Sequence, residues 1–174
     1  MTFKIIPERP AEFPLLDPLL DRTFGFDRHQ RTVYRLRAQV APVAALCFAV
    51  VAADGGMLGS LRFWPVAIGE ARARAVLLGP LAVEPALQGM GIGRALVTHG
   101  LAEARWTGER ICLVVGAPTY YRPFGFANAG VAGLILPGPV EPERFQVAEL
   151  VPGALDGVAG LVQAAAAEEG EAVA

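Results

Sequence analysis

Apolar residues in this chain follow two rhythms. Unbroken apolar runs close the segments Ala44–Val51, Val76–Val83 and Arg110–Val115. Each is short, rich in branched side chains and bounded by turn residues, the pattern of a buried strand. Asp54-Gly55-Gly56 predicts a hairpin turn between Ala44–Val51 and a returning strand, Met57–Val66. Inside Val76–Val83, Pro80 has no donor for a ladder and Gly79 weakens a strand interior, so Gly79-Pro80 predicts a bulge or local break. Glu84-Pro85 then ends the strand. The other rhythm is helical. Ile92, Leu96, Val97, Gly100 and Ala104 share one side of a 3.6-residue repeat, while Arg94, Thr98 and Glu103 point elsewhere.

The flanks carry weaker signals. Phe3–Ile6 reads as a brief opening strand, and Pro10–Phe24 as a helix with Phe13, Leu16, Leu19, Leu20 and Phe24 facing inward. Pro14 fits its first turns and Pro18 weakens it. Phe24-Gly25-Phe26 is a turn, Arg28–Arg37 a second short helix, and Gly69–Arg74 another turn. Beyond Val115 follow a weak strand in Phe126–Leu136, a loop at Pro137–Pro142 and a short strand at Phe145–Leu150. From Val158 through Glu169 the composition is helix-forming, with a frayed end. Strands alternating with helices around a sheet give an α/β or α+β class. Neither a repeat nor a dividing linker interrupts residues 1–174, so a single domain is expected.

Between the strand and the main helix lies Gln88-Gly89-Met90-Gly91-Ile92-Gly93. Glycines permit positive φ and remove the Cβ atoms that would block close approach. The unpaired N–H groups of a first helical turn, backed by the helix dipole, face an anion there. A P-loop is excluded, because no Gly-Lys-Ser/Thr closes the loop. The dinucleotide pattern G-x-G-x-x-G fails too: Arg94 stands at the sixth position counted from Gly89, and Leu96 counted from Gly91.

Gln88 to Gly93 resembles the Q/R-x-x-G-x-G/A signature of the GNAT superfamily of acyl-CoA-dependent N-acetyltransferases, and Leu81-Ala82-Val83-Glu84-Pro85 resembles the strand end that leads into it. Downstream, Gly116 to Phe126 (GAPTYYRPFGF) looks like that family's second signature, a short helix carrying Tyr and closing on Phe-Gly-Phe. The double tyrosine, Tyr120-Tyr121, marks the similar branch. The resemblance implies a mixed, largely antiparallel sheet flanked by helices. Val76–Val83 and Arg110–Val115 would run parallel and splay where acetyl-CoA enters. It also implies a cofactor core over about 44–128 and an acceptor-side segment over about 10–37.

In that frame, backbone amides of Gln88, Gly89, Met90, Gly91, Ile92, Gly93 and Arg94 would hold the diphosphate, with Arg94 adding charge. Leu81, Ala82 and Val83 would bind the pantetheine arm and offer an N–H to the acyl oxygen. Tyr121, five residues before Phe126, takes the place of the family's usual tyrosine and would protonate the leaving thiolate. It could equally pack in the core beside Phe124 and Phe126. Many relatives carry a carboxylate on the central strand where this chain has Leu77, Leu78 and Gly79. Glu84 is the nearest acid and the candidate base; a water relay, or an amine that arrives neutral, are the alternatives. Phe24, Phe26, His29, Arg31 and Arg62, with Tyr34 and Trp64, would shape the acceptor pocket. Arginines there suit a carboxylate or phosphate on the acceptor, or are simply solvated on a helix face. The missing strand carboxylate keeps a non-catalytic acyl-CoA-binding regulatory domain in view. A nucleotide-phosphate module would explain only the glycine loop.

Composition narrows the partners. A net charge of −2 offers no basic field for nucleic acid. Lys4 is the only lysine, an arginine skew that genomic composition alone would produce. Cys47 and Cys112 lie inside apolar segments, as buried thiols in a reducing cytoplasm would, and without His or carboxylate neighbours they form no metal site. No signal peptide or bilayer-length apolar run is seen. Expected, then, is a cytoplasmic enzyme acting on a small-molecule or peptide amine, with neither nucleic acid nor membrane as partner. Its oligomeric state stays open, a homodimer included.

Overall fold

The hairpin foreseen at Asp54-Gly55-Gly56 organises the sheet. In a computed structural model of the chain, residues 2–165 are described. In order they form β1 (Ile5–Pro7), α1 (Phe13–Phe24), α2 (Val33–Arg37), β2 (Cys47–Val51), β3 (Met57–Ile68), β4 (Ala73–Val83), α3 (Ile92–Trp106), β5 (Ile111–Val115), α4 (Pro118–Tyr121), β6 (Ala127–Asn128), β7 (Leu134–Ile135), β8 (Phe145–Glu149) and β9 (Gly160–Ala164). Asp54 Oδ1 accepts the Gly56 N–H at 2.9 Å, an Asx turn that folds β2 back into β3. Along the sheet the strand order is β1-β2-β3-β4-β5-β8-β6. Pairing is mostly antiparallel; β4 and β5 run parallel, as do the short β7 and β9. This is the mixed, helix-flanked sheet that the family resemblance implied, within the α/β or α+β class read from the residue pattern.

β4 shows how alternation divides the core. Val76 and Leu78 join the cluster under α3, while Ala75 and Leu77 join the cluster on the opposite face. From α3, the buried residues Ile92, Leu96, Val97, Leu101 and Ala104 pack on Leu61 and Phe63 of β3. Burying each large apolar side chain contributes roughly 1.5–3 kcal/mol. That stripe fixes the rotation of α3 and so the direction in which its first turn points. α1 covers the far end through Leu16, Leu19 and Leu20, packed on Ala49, Met57 and Ala82.

Several expected elements differ. Within the segment from Val158, where a helix was expected, Gly160–Ala164 forms the strand β9; residues 166–169 of that expected helix lie outside the described residues. β2 pairs β3 only as far as Arg62, which leaves an open edge that β9 fills opposite Val66, Ala67 and Ile68. Val162 is wholly buried there. Satisfying a strand edge outweighs the small helical preference of Gln and Ala. The second helix is shorter than Arg28–Arg37, because Arg31 is extended between a 3-10 turn and α2. Ala44–Leu46 is likewise a 3-10 turn ahead of β2. Phe13 is 53% exposed, turned outward beneath the Arg62 guanidinium.

Candidate active site

Parallel pairing of β4 with β5 stops early. Val76 faces Cys112 and Leu77 faces Leu113, and no pair follows. Past that point each strand keeps its other neighbour: Leu81, Ala82 and Val83 pair with Leu61, Ser60 and Gly59 of β3, while Val114 and Val115 pair with Gln146 and Phe145 of β8. The edges facing each other are left open. The parting begins at Gly79-Pro80, joined by a cis peptide bond, opposite a register shift between Leu61 and Phe63. Trp64 Nε1–H donates to the Gly79 carbonyl at 2.7 Å and holds the break in place. The resulting crevice of about 520 Å³ has Leu78 to Leu81 on one wall and Val114 to Ala117 on the other.

At one end the crevice opens into a second cavity of about 650 Å³, lined by Val83, Gln88, Gly89, Gly91, Gly93 and Arg94. Gly89 has φ +82° and Gly91 φ +91°, and an added Cβ at either would meet no atom within 4 Å. Backbone conformation, not space, demands glycine there. Gly93 is the reverse case: it is helical, and a Cβ on it would lie 2.8 Å from Tyr120 Oη. No side chain caps α3. Its first-turn amides therefore face the cavity with the positive end of the helix dipole behind them. Gln88 Nε2 donates to the Val83 carbonyl at 3.3 Å, tying the loop to the strand end. The Ile92 side chain is buried in the core although the residue lines the cavity, and Met90 is half exposed and lines neither cavity.

The tyrosines sit where the two cavities meet. Tyr120 lines both of them and Tyr121 lines the crevice. Tyr121 packs edge-on against Tyr120 at 4.9 Å and Phe126 at 5.7 Å between ring centroids. Its ring covers Gly116 so closely that a Cβ there would lie 2.3 Å from Tyr121 Cε2. Burial, reinforced by Tyr120 and Cys112, pushes the Tyr121 phenol well above its ordinary pKa, so it stays protonated at neutral pH. Among the described residues the Tyr121 hydroxyl has no hydrogen-bond partner. On the far side the crevice meets a third cavity, of about 380 Å³, at Arg28, Tyr34, Arg37 and Pro80.

Residues 44–128 match the acetyltransferase (GNAT) domain family. The chain is 34% identical over 158 residues to the uncharacterized N-acetyltransferase YhbS of Escherichia coli strain K12, covering 90% of this chain and 92% of that protein. The chain belongs to the GNAT acetyltransferase family. Two solved structures of this family share its fold. The crystal structure of E. coli YhbS in complex with CoA superposes with a TM-score of 0.80 at 32% identity, over 94% of this chain and 89% of that one. A GNAT acetyltransferase of Brucella melitensis in complex with acetyl-CoA gives a TM-score of 0.59 at 34% identity, over 89% and 99%.

Within this GNAT chain the residues expected to line the acceptor pocket divide. Phe24 and Arg31 line the crevice, and His29, Tyr34, Arg62 and Trp64 line the third cavity. Phe26 is 86% exposed and lines none of the three. Arg62 is held by Glu8, whose side chain is fully buried, with Nε donating to Glu8 Oε2 at 2.9 Å. Glu84 lies at the end of β4, pairs with Arg22 at 2.8 Å and does not line the Tyr121 crevice. Sequence reading missed Arg28, Arg37 and Arg144, all of which line the crevice. The signal for Arg28 and Arg37 was present in the density of arginine between residues 28 and 37, which a solvated helix face explains equally well; nothing in the sequence marked Arg144. Among the described residues no group of three His, Cys, Asp or Glu could hold a metal ion, and no helix is long and apolar enough to cross a membrane.

Proposed function

We propose that this GNAT chain moves the acetyl group of acetyl-CoA directly to a primary amine within a ternary complex. The carrying observation is the open crevice between β4 and β5, which joins an uncapped glycine-rich helix start to an unpartnered, protonated tyrosine. The CoA and acetyl-CoA bound by the two solved relatives support the donor. The amides of Gln88, Gly89, Met90, Gly91, Ile92, Gly93 and Arg94 hold the diphosphate, and the free edge of Leu81, Ala82 and Val83 receives the pantetheine arm as an added strand. A strand N–H on that edge polarises the thioester carbonyl. We take residues 44–128 as the cofactor core and residues 10–37 as the acceptor side of one domain. Two cysteines without a disulfide fit a cytoplasmic site of action.

The chemistry follows from the groups present. The amine nitrogen attacks the acyl carbon, a C–N bond forms, and the C–S bond breaks. Tyr121 donates its proton to the departing thiolate and is reprotonated from solvent. No carboxylate lines the crevice. The amine therefore attacks in its neutral form, the proton its nitrogen loses as the C–N bond forms passes to water, and Glu84 anchors the strand end through Arg22.

Thermal melting and thiol release test this. Acetyl-CoA at 100 times its Kd adds about 2.7 kcal/mol to folding stability. Some amine in a mixed panel should release thiol, with turnover falling strongly in Tyr121→Phe. The lack of a crevice carboxylate favours a second reading, an acyl-CoA-binding regulatory domain. Cofactor binding without turnover across a broad panel would select it.

A further inference from the structure

We propose that the acceptor amine carries a carboxylate and that Arg37 binds it; this rests on the acetyltransferase reading above. The crevice and the third cavity are lined in common by Arg28, Tyr34, Arg37 and Pro80, so the space beside Tyr121 continues to the guanidinium of Arg37. Arg28 is already committed. Its Nε donates to Asp21 at 3.0 Å, its Nη2 to Asp17 at 2.9 Å and its Nη1 to the Tyr34 hydroxyl at 3.1 Å.

Arg37 differs. Its guanidinium stacks against the rings of Tyr34, 5.1 Å from the centroid, and Trp64, 5.8 Å away. The Nε atom is buried without a hydrogen-bond partner, and no carboxylate among the described residues pairs with the side chain. Burial pulls its pKa down to about 10, partly offset by Tyr34, so it stays cationic at neutral pH. A buried donor left unmatched is costly, and an oriented guanidinium edge fits the two oxygens of a carboxylate.

Its position supplies the geometry for transfer. Nη2 lies 2.9 Å from where a Cβ on Gly79 would stand, at the break where the crevice begins. An amine joined to its carboxylate by a short link, as in an α-amino acid, would then reach the free edge at Leu81. The crevice is lined by no acid and by Arg31, Arg37 and Arg144, besides an Arg28 whose charge Asp17 and Asp21 offset. Such a field repels polyamines and attracts anions.

The test uses the full chain, acetyl-CoA and matched acceptors: amino acids, their amides, their decarboxylated amines, polyamines and phosphoethanolamine. Amino acids should exceed their amides by about 10- to 100-fold in kcat/KM, the range expected of charge-assisted hydrogen bonds. Arg37→Met should collapse the amino-acid rates onto the amide rates, and Arg37→Lys should restore only part of the gap. The thermal shift with acetyl-CoA checks that both variants fold. Amides or polyamines equalling amino acids, phosphoethanolamine exceeding them, or Arg37→Met lowering every acceptor alike would overturn the assignment. If no amine turns over, calorimetry on the CoA-saturated protein separates the two readings. A carboxylate preference lost in Arg37→Met would uphold the site while the acetyltransferase reading falls, and no preference would overturn both.

Discussion

Gly93→Ala separates the two ways in which the glycine loop can matter. The added methyl would lie 2.8 Å from Tyr120 Oη, where ordinary contact begins at 3.4 Å. Tyr120 is 37% exposed, and its hydroxyl is the far end of a side chain that can withdraw a few tenths of an ångström at low cost. Alanine also favours helix over glycine, by less at this second position of α3 than the about 0.8–1.0 kcal/mol of a helix interior. Stability without cofactor should therefore stay within about 1 kcal/mol of wild type, or about 2–4 °C in Tm. The methyl would still stand in the cavity that we assign to the diphosphate. A tenfold loss of affinity, with ligand at 100 times the wild-type Kd, would cut ligand stabilisation from about 2.7 to about 1.4 kcal/mol. Gly91→Ala should behave in the opposite way. Space there is open, but φ is +91°, and a left-handed alanine costs about 1–2 kcal/mol, so its Tm drops before any ligand is added. Adding Tyr120→Phe to Gly93→Ala removes the hydroxyl that the methyl meets, and the cofactor-induced rise should remain halved. A Gly93→Ala protein with the full wild-type rise would refute the cradle assigned to α3.

Tyr121→Phe should lower kcat about 100-fold or more, as loss of a general acid does, while the melting shift with acetyl-CoA is unchanged; equal turnover would return Tyr121 to a packing role. Glu84→Gln should keep kcat within a factor of about three and cost less than about 1 kcal/mol, as partly exposed ion pairs do; a hundredfold fall in kcat would identify Glu84 as the base. Burial raises the Cys47 thiol to about 11 and drives Cys112 higher. Unfolded thiols ionise near pH 8.5, so the unfolded chain sheds these protons first and stability should fall as pH rises from about 8.5 to 11. Urea midpoints across that window, shallower in pH dependence for Cys112→Ala, would show it; a flat wild-type profile would contradict the burial. Both thiols should also stay unreactive in the native protein, leaving the thiol-release assay to read CoA alone.

What could be read from the sequence was local. The 3.6-residue stripe from Ile92 to Ala104 is a property of consecutive residues, and it placed the buried face of α3 correctly. Gly79-Pro80 announced a break because proline's missing donor acts at its own position in the ladder. β9 could not be read in this way. Gln163 and Ala164 favour helix, and the open edge of β3 that overrides them lies about a hundred residues earlier in the chain. Phe13 shows the same limit: helical spacing placed it inward, yet nothing in the spacing revealed that Arg62 stands over its outer face.

The same physics explains why the glycine loop beside the open cavity was legible in the sequence and the pairing of the arginines was not. A diphosphate can be held by backbone amides, which needs only a short consecutive stretch with the right φ angles. A small acceptor must be recognised by side chains, and the polar side chains on this side of the molecule are arranged by partners distant in sequence. Arg62 is set by Glu8, Arg22 by Glu84, Thr32 by the Pro139 carbonyl and Arg35 by the Pro137 carbonyl. Each arginine looks alike in the sequence, and only its pairing separates structural cation from binding group. Once Arg22, Arg28 and Arg62 are matched to their acids, Arg37 is left among them with a buried guanidinium nitrogen facing no acceptor. An unmatched donor of that kind is a cost to the folded protein unless a ligand satisfies it. We therefore look for acceptor specificity at Arg37, whose buried Nε the fold leaves without an acceptor.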